Sequence, residues 1–171
     1  NLRRPIGFSE EEMAAANRTC RDAGATARNR PVPRVVSAMY GDRKDAIAVL
    51  DFGAGKNAKQ AQELRDQGFD VTAHEFGGNV QAGIHDPDAL SRTYDVVYAS
   101  NVLNVQLDEN MMRRTLEQLR RATKGTLIAN YPAEPRKMGL SNQQFEALLG
   151  EYFENVRRVG GTSSAPVYAM E

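Results

Sequence analysis

Thiols are all but missing from this chain: among 171 residues, Cys20 is the sole cysteine. No internal disulfide can form, and such thiol usage fits a reducing, cytoplasmic setting. Histidine is scarce as well. His74 and His85 follow different predicted strands, with no further thiol or imidazole to support them, so no metal site is expected. No stretch approaches the roughly 18 consecutive apolar residues of a membrane-spanning helix, and no secretory hydrophobic segment is visible. Net charge is zero, 22 Lys/Arg against 22 Asp/Glu, which argues against strong non-specific DNA binding. What remains, 41% hydrophobic and 26% charged residues, is the make-up of one soluble globular domain with one substantial core.

The neutrality hides an asymmetry. Residues 1–44 carry 9 Lys/Arg against 5 Asp/Glu, whereas residues 45–171 carry 13 against 17. A basic N-terminal segment suits contact with an anionic group, nucleic acid included, but a solvated arginine-rich helix explains the same composition. Ser9 and Glu12 form a capping-box pattern that predicts a helix over about 10–23, ending near Gly24. Pro31 and Pro33 predict extended or looped chain over 25–34, with a short helix around 34–40.

From Ile47 onward, strand and helix patterns alternate, which predicts a mainly parallel sheet with helices on both faces. Strands are expected at 46–51, 70–75, 84–86 (the tail of a third), 94–100 and 125–130. Residues 76–83 are too few for a full crossover helix, so that connection is abbreviated. Asp108 is placed to cap a long helix whose Met111, Met112, Leu116 and Leu119 recur at helical spacing as core. Ser141 caps a further helix over 141–149. The chain closes with Tyr152–Val159, a Gly160-Gly161-Thr162-Ser163-Ser164 turn and Pro166–Met170, joined too tightly for a crossover and therefore antiparallel.

The most informative run is Val49-Leu50-Asp51-Phe52-Gly53-Ala54-Gly55-Lys56-Asn57-Ala58. An apolar strand ends in an acidic residue, and two glycines then turn the backbone into a helix. Such a turn lets the main chain approach a nucleotide-type ligand. A phosphate-binding P-loop is excluded, because Leu50 and Asn57 stand where it needs Gly and Ser/Thr. The dinucleotide fingerprint fits Gly53-x-Gly55-x-x-Ala58, with Glu75 20 residues beyond Gly55. Asp51 weighs against it. A carboxylate two residues before the first glycine repels a pyrophosphate but accepts hydrogen bonds from an ammonium group. A nicotinamide dinucleotide and a degenerate site remain as alternatives.

Asp51-x-Gly53-x-Gly55 resembles the first motif of the class I S-adenosylmethionine-dependent methyltransferases, and the closing hairpin resembles their topology. The resemblance covers residues 46–171 as one catalytic core, with residues 1–45 as a helical, basic segment over the pocket. It implies an α/β fold: a doubly wound, mainly parallel seven-stranded sheet with a C-terminal antiparallel hairpin. It further implies S-adenosyl-L-methionine as cofactor, with Asp51, Gly53, Ala54 and Gly55 around its methionine portion. Glu75, with Phe76 beside it, would hold the ribose hydroxyls, and Asp86 would face the adenine amine. Ser100-Asn101-Val102-Leu103-Asn104 resembles the Ser-Asn-Val-Leu-Glu-His of many small-molecule methyltransferases, placing Ser100 and Asn101 at the cofactor.

Plainer readings stand beside these. Glu75 also suits a surface strand end, Asp86 before Pro87 an N-cap, and Asn101 and Asn104 the caps of a short helix. For the methyl acceptor, Asn101 and Asn104 are the expected orienting groups, with Tyr131 next; the segment around Arg28–Arg34 is expected to help wall the pocket, and Arg28 and Arg30 suit an anionic substituent, though solvated loop charges explain them equally. DNA amino-group methyltransferases resemble one another in an Asp/Asn-Pro-Pro-Tyr/Phe block that is not found at Ser100–Leu103. Cytosine C5 chemistry needs a thiol after strand four, and Cys20 lies elsewhere. The expectation is therefore methyl transfer to an O or N atom, chiefly of a small molecule, with nucleic acid reached through the basic segment. The alternative is a cofactor-binding protein that transfers no methyl group, either a cofactor-degrading enzyme or a non-catalytic module.

Overall fold

The computed structural model describes residues 7–15 and 31–171. Helix α1 is described over 10–15, and the Ser9–Glu12 capping box is present in both directions, at 3.0 and 3.1 Å. Its predicted continuation to Gly24, the loop over 25–30, and Cys20, Arg28 and Arg30 lie outside the described residues. Helix α2 spans Pro31–Tyr40, which corrects the expectation of loop up to 34. Both prolines sit in its first turn, where a missing N–H costs nothing.

The elements that follow are β1 (Ala48–Phe52), α3 (Lys59–Asp66), β2 (Asp70–His74), β3 (Tyr94–Ala99), α4 (Glu109–Ala122), β4 (Thr123–Asn130), α5 (Asn142–Leu149), β5 (Arg157–Gly161) and β6 (Pro166–Met170). They build a sheet ordered β2-β1-β3-β4-β6-β5. The first four strands pair in parallel, and β6 runs antiparallel to both β4 and β5. Alternation along each strand sends side chains to opposite faces. Leu50, Phe52, Val97, Leu127 and Tyr168 meet α4 and α5 on one face, while Val49, Val71, Val96, Ile128 and Val167 meet α2 and α3 on the other.

Six strands are present among the described residues, not the expected seven. Ile84–Asp86 lies in a turn, because Gly77 (φ 57°) and Gly83 (φ 83°) fold the short connection back on itself. One ladder-like bond survives there, from Asp86 N to Ala73 O at 2.9 Å. Together with Arg65 Nε to Val71 O (2.9 Å), it occupies outward carbonyls of β2, which is now an edge strand. Asp108 caps α4 through Met111 N, and Ser141 and Gln144 form a full capping box on α5, as expected. Met112, Leu116 and Leu119 are core. Met111 is buried too, in a separate small core cluster with Val105, against which Phe8 and Leu107 pack.

Gly125, near the start of β4, lies against β3, and a Cβ there would stand 2.2 Å from the Asp95 carbonyl oxygen. The β3–β4 register shifts between Tyr94 and Val96, close to this contact.

Candidate functional site

A cavity of about 340 Å³ opens at the carboxyl ends of β1, β2 and β3, where open α/β sheets place their ligands. Its floor is the glycine turn. Gly53 (φ 73°) and Gly55 (φ 82°) are left-handed, and Ala58 (φ 48°) leads into α3. A Cβ on Gly53 would lie 2.8 Å from Val102 Cγ2; one on Gly55 would meet nothing within 4 Å among the described residues.

The turn's amides are already committed. Gly53 N–H donates to His74 Nδ1 (3.3 Å), Ala54 N–H to His74 O (2.7 Å), and Gly55 N–H to the Glu75 carboxylate. None of the three remains for a phosphate, which removes the donor set that a pyrophosphate would use. Two carboxylates face the same space instead. Asp51, 2% exposed, accepts from Tyr98 Oη at 2.8 Å; Glu75 Oε1 accepts from Phe76 N–H at 2.9 Å. Burial pushes Asp51 up to about 7, with the nearby Glu75 charge adding to it and the Tyr98 hydroxyl opposing it. Burial likewise pushes Glu75 to about 7 against the two amides that favour its ionised form. Two hard-to-ionise carboxyls side by side make a site that gains from a cationic occupant.

The rest of the cavity is largely apolar. Val102, Val105 and Met111 form one wall, and Phe8 and Met13 come in from the N-terminal segment. Phe8 packs edge-on to Phe76 at 5.6 Å and lies under the Arg114 guanidinium at 5.1 Å. Arg114 also donates to Gly7 O (2.8 Å) and pairs with Glu12, whose carboxyl it holds below its ordinary range. Three polar spots interrupt the apolar half. Ser100 Oγ is buried without a partner among the described residues; Gln106 Nε2 donates to Val102 O (2.8 Å), and Thr115 Oγ1 donates to Gln106 Oε1 (2.7 Å).

Of the sequence-predicted residues, Asp51, Gly53, Ala54, Gly55, Glu75, Phe76, Ser100 and Asn101 line this one cavity. Asn101 (φ 59°) is committed to a reciprocal pair: its N–H donates to Asn130 Oδ1 (2.7 Å), and Asn130 Nδ2 donates back to its Oδ1 (2.9 Å), joining the ends of β3 and β4. Asp86, Asn104 and Tyr131 are not brought to the cavity. Asp86 receives Asp88 N–H (2.8 Å) and pairs with Arg92 (2.7 Å); it closes a turn, and the N-cap position of the short helix that follows, Ala89–Ser91, belongs to Asp88. Asn104 Nδ2 donates to Pro135 O at 2.9 Å. Tyr131 stacks on Phe145 at 3.9 Å beneath Arg136, itself fixed to Pro132 O at 2.8 Å. That pinned loop holds both side chains away from the cavity. Arg34 is exposed on α2 and is not among the lining residues.

Phe8, Met13, Val105, Gln106, Met111 and Thr115 were not anticipated. Met111 and Thr115 share one helix face at i, i+4 spacing, a signal that reads equally as core. The two histidines serve the glycine turn, and among the described residues no group of three or more His, Cys, Asp or Glu is placed to hold a metal. No helix among the described residues is long and apolar enough to cross a membrane.

Residues 25–158 match the family model described as a methyltransferase domain. Among solved structures, the chain is similar to a TehB-like SAM-dependent methyltransferase from Corynebacterium glutamicum (19% identity, 94% of this chain and 96% of that one, TM-score 0.63). It is also similar to the CcbJ methyltransferase from Streptomyces caelestis (13% identity, 96% and 99%, TM-score 0.64). A third likeness is to the magnesium protoporphyrin IX methyltransferase of Synechocystis, solved with bound SAM (16% identity, 99% and 88%, TM-score 0.59). At these identities the likeness concerns the fold. A comparison with curated proteins finds no matching sequence.

Proposed function

Since the chain belongs to the methyltransferase-domain family, we propose that it is an S-adenosyl-L-methionine-dependent enzyme methylating an O or N atom of a small, chiefly apolar molecule. The observation that carries this reading is the pairing of Asp51 and Glu75 around a glycine turn whose own amides are spent. Such a floor receives a cationic nucleoside and disfavours a pyrophosphate. Asp51 and the turn suit the ammonium end of the cofactor, and Glu75 suits acceptance of two ribose hydroxyls, its Oε1 already oriented by Phe76 N–H.

When bound, S-adenosyl-L-methionine supplies an electrophilic methyl group on a sulfonium. The chain's own task is then alignment. Ser100, Gln106 and Thr115 are the polar groups available to orient an acceptor in the apolar half, and Phe8 and Met13 keep water from it. A cavity of about 340 Å³ overlain by the 7–15 segment favours a small acceptor over a nucleic acid or protein.

Titration calorimetry with the cofactor and with its demethylated product tests the reading; absence of heat with both ends it. Incubation with the cofactor alone separates methyl transfer from cofactor breakdown. The carboxyls add a pH signature. With Asp51 and Glu75 each near 7, a cation binds best once they are ionised, and binding below that pH must expel a proton. Cofactor affinity is expected to rise from pH 6 to pH 8 by about tenfold for each of the two carboxyls that must ionise. Proton release should show as a dependence of the binding heat on buffer ionisation enthalpy near pH 7. A flat profile with no such dependence counts against the two carboxylates as the cation site.

A further inference from the structure

We infer that His85 is a positioning residue, a brace that sets the peptide of Gly55 in its ligand-receiving orientation; the inference rests on the cofactor reading above. The ring's two bonds fix its tautomer. Nδ1 accepts Gln81 N–H at 2.9 Å, so the ring proton resides on Nε2, which donates to Gly55 O at 2.8 Å. His85 is 5% exposed, and the same carbonyl also accepts Ala58 N–H at 3.2 Å.

The brace occupies the place of the missing strand. The connection after β2, too short to make a crossover helix, folds over the turn and bonds to it twice: Gln81 Nε2 donates to Lys56 O at 3.0 Å, and His85 to Gly55 O. From the other side, His74 takes Gly53 N–H on its ring and Ala54 N–H on its carbonyl. Burial pushes His74 down to about 4, so its ring stays neutral and able to accept. Gly55 (φ 82°) carries no side chain and stands between two peptide planes: the one before it presents Gly55 N–H to Glu75, and the one after it, shared with Lys56, presents Gly55 C=O to His85. Releasing the carbonyl frees the Gly55–Lys56 peptide, and because glycine torsions are soft the motion passes through Gly55 to the preceding peptide, loosening one of the two amides that orient the Glu75 carboxylate.

Two conservative variants separate the two bonds. A glutamine amide reaches the position of Nε2 and can donate to Gly55 O; an asparagine amide reaches only the position of Nδ1 and can serve Gln81 alone. His85→Asn is expected to weaken cofactor and product binding about five- to tenfold, raising KM for the cofactor while leaving kcat at saturation nearly unchanged. His85→Gln is expected to keep affinity within about twofold of the parent. Hydrogen exchange on the ligand-free protein reads the brace directly: the Ala58 amide should exchange faster in the Asn variant and not in the Gln variant. Equal affinity and equal exchange in all three proteins would overturn the inference, as would parallel losses in both variants that track Tm. If the parent binds no cofactor, the proposed function falls, and the exchange comparison still decides the brace.

Discussion

Replacing Glu75 by glutamine is expected to make the ligand-free protein more stable while costing it about a hundredfold in cofactor affinity. The two effects share one cause. Burial raises the Glu75 carboxyl to about 7, so in the folded state its ionised form is held against a penalty that the unfolded chain does not carry. A carboxyl with a raised folded pKa contributes stability below its unfolded value, near 4.5, and loses it as pH climbs through 7. At pH 8 the glutamine removes a penalty of roughly 2 kcal/mol, enough to lift Tm by about 4–8 °C; at pH 4.5 the gain should vanish. Binding moves the other way. A carboxylate accepting two hydroxyls contributes roughly 3 kcal/mol through charge-assisted bonds that a neutral amide cannot reproduce. Thermal scans at both pH values with and without ligand provide the check. A variant that loses stability and affinity together would show Glu75 to be a structural carboxylate.

The second large effect is a loss of fold. Gly125→Ala should destabilise the chain by about 3–5 kcal/mol, or leave it insoluble. The added Cβ would fall 2.2 Å from the Asp95 carbonyl oxygen, and both atoms belong to neighbouring strands in the middle of the sheet. No rotamer relieves such a clash, so the β3–β4 ladder must part locally. Asp95 transmits the shift, because its Oδ2 accepts Ala48 N–H at 2.8 Å at the start of β1. Gly78→Ala is the matched control. A Cβ there meets nothing within 4 Å, and its cost should stay within about 0.5 kcal/mol. Urea unfolding of the two variants gives the comparison; similar midpoints would refute the steric account.

Much of the cavity floor was legible because its signals are local. The acidic strand end, the two glycines and Glu75 after the next strand are fixed by short-range spacing, and the caps at Ser9, Asp108 and Ser141 by one helical turn each. The residue count between Phe76 and Gly83 already ruled out a full crossover, yet counting did not reveal that the third strand would be lost altogether. The acceptor side was less legible. Whether Tyr131 and Asn104 face a cavity depends on the loop that Arg136 pins at Pro132 O, Tyr131 O and Asn142 Oδ1, contacts with no sequence period. Met111 and Thr115 look like core because a helix face toward a ligand and one toward packing carry the same apolar stripe. His74 and His85 drew attention as a metal pair, whereas their partners are backbone groups of the glycine turn.

The contact of Arg114 with Gly7, Phe8 and Glu12 has a kinetic consequence. One guanidinium fastens the roof at three points, so lifting the 7–15 segment breaks all three together. For the proposed enzyme, parting those contacts would be a step on any path of entry or departure that lifts the 7–15 segment.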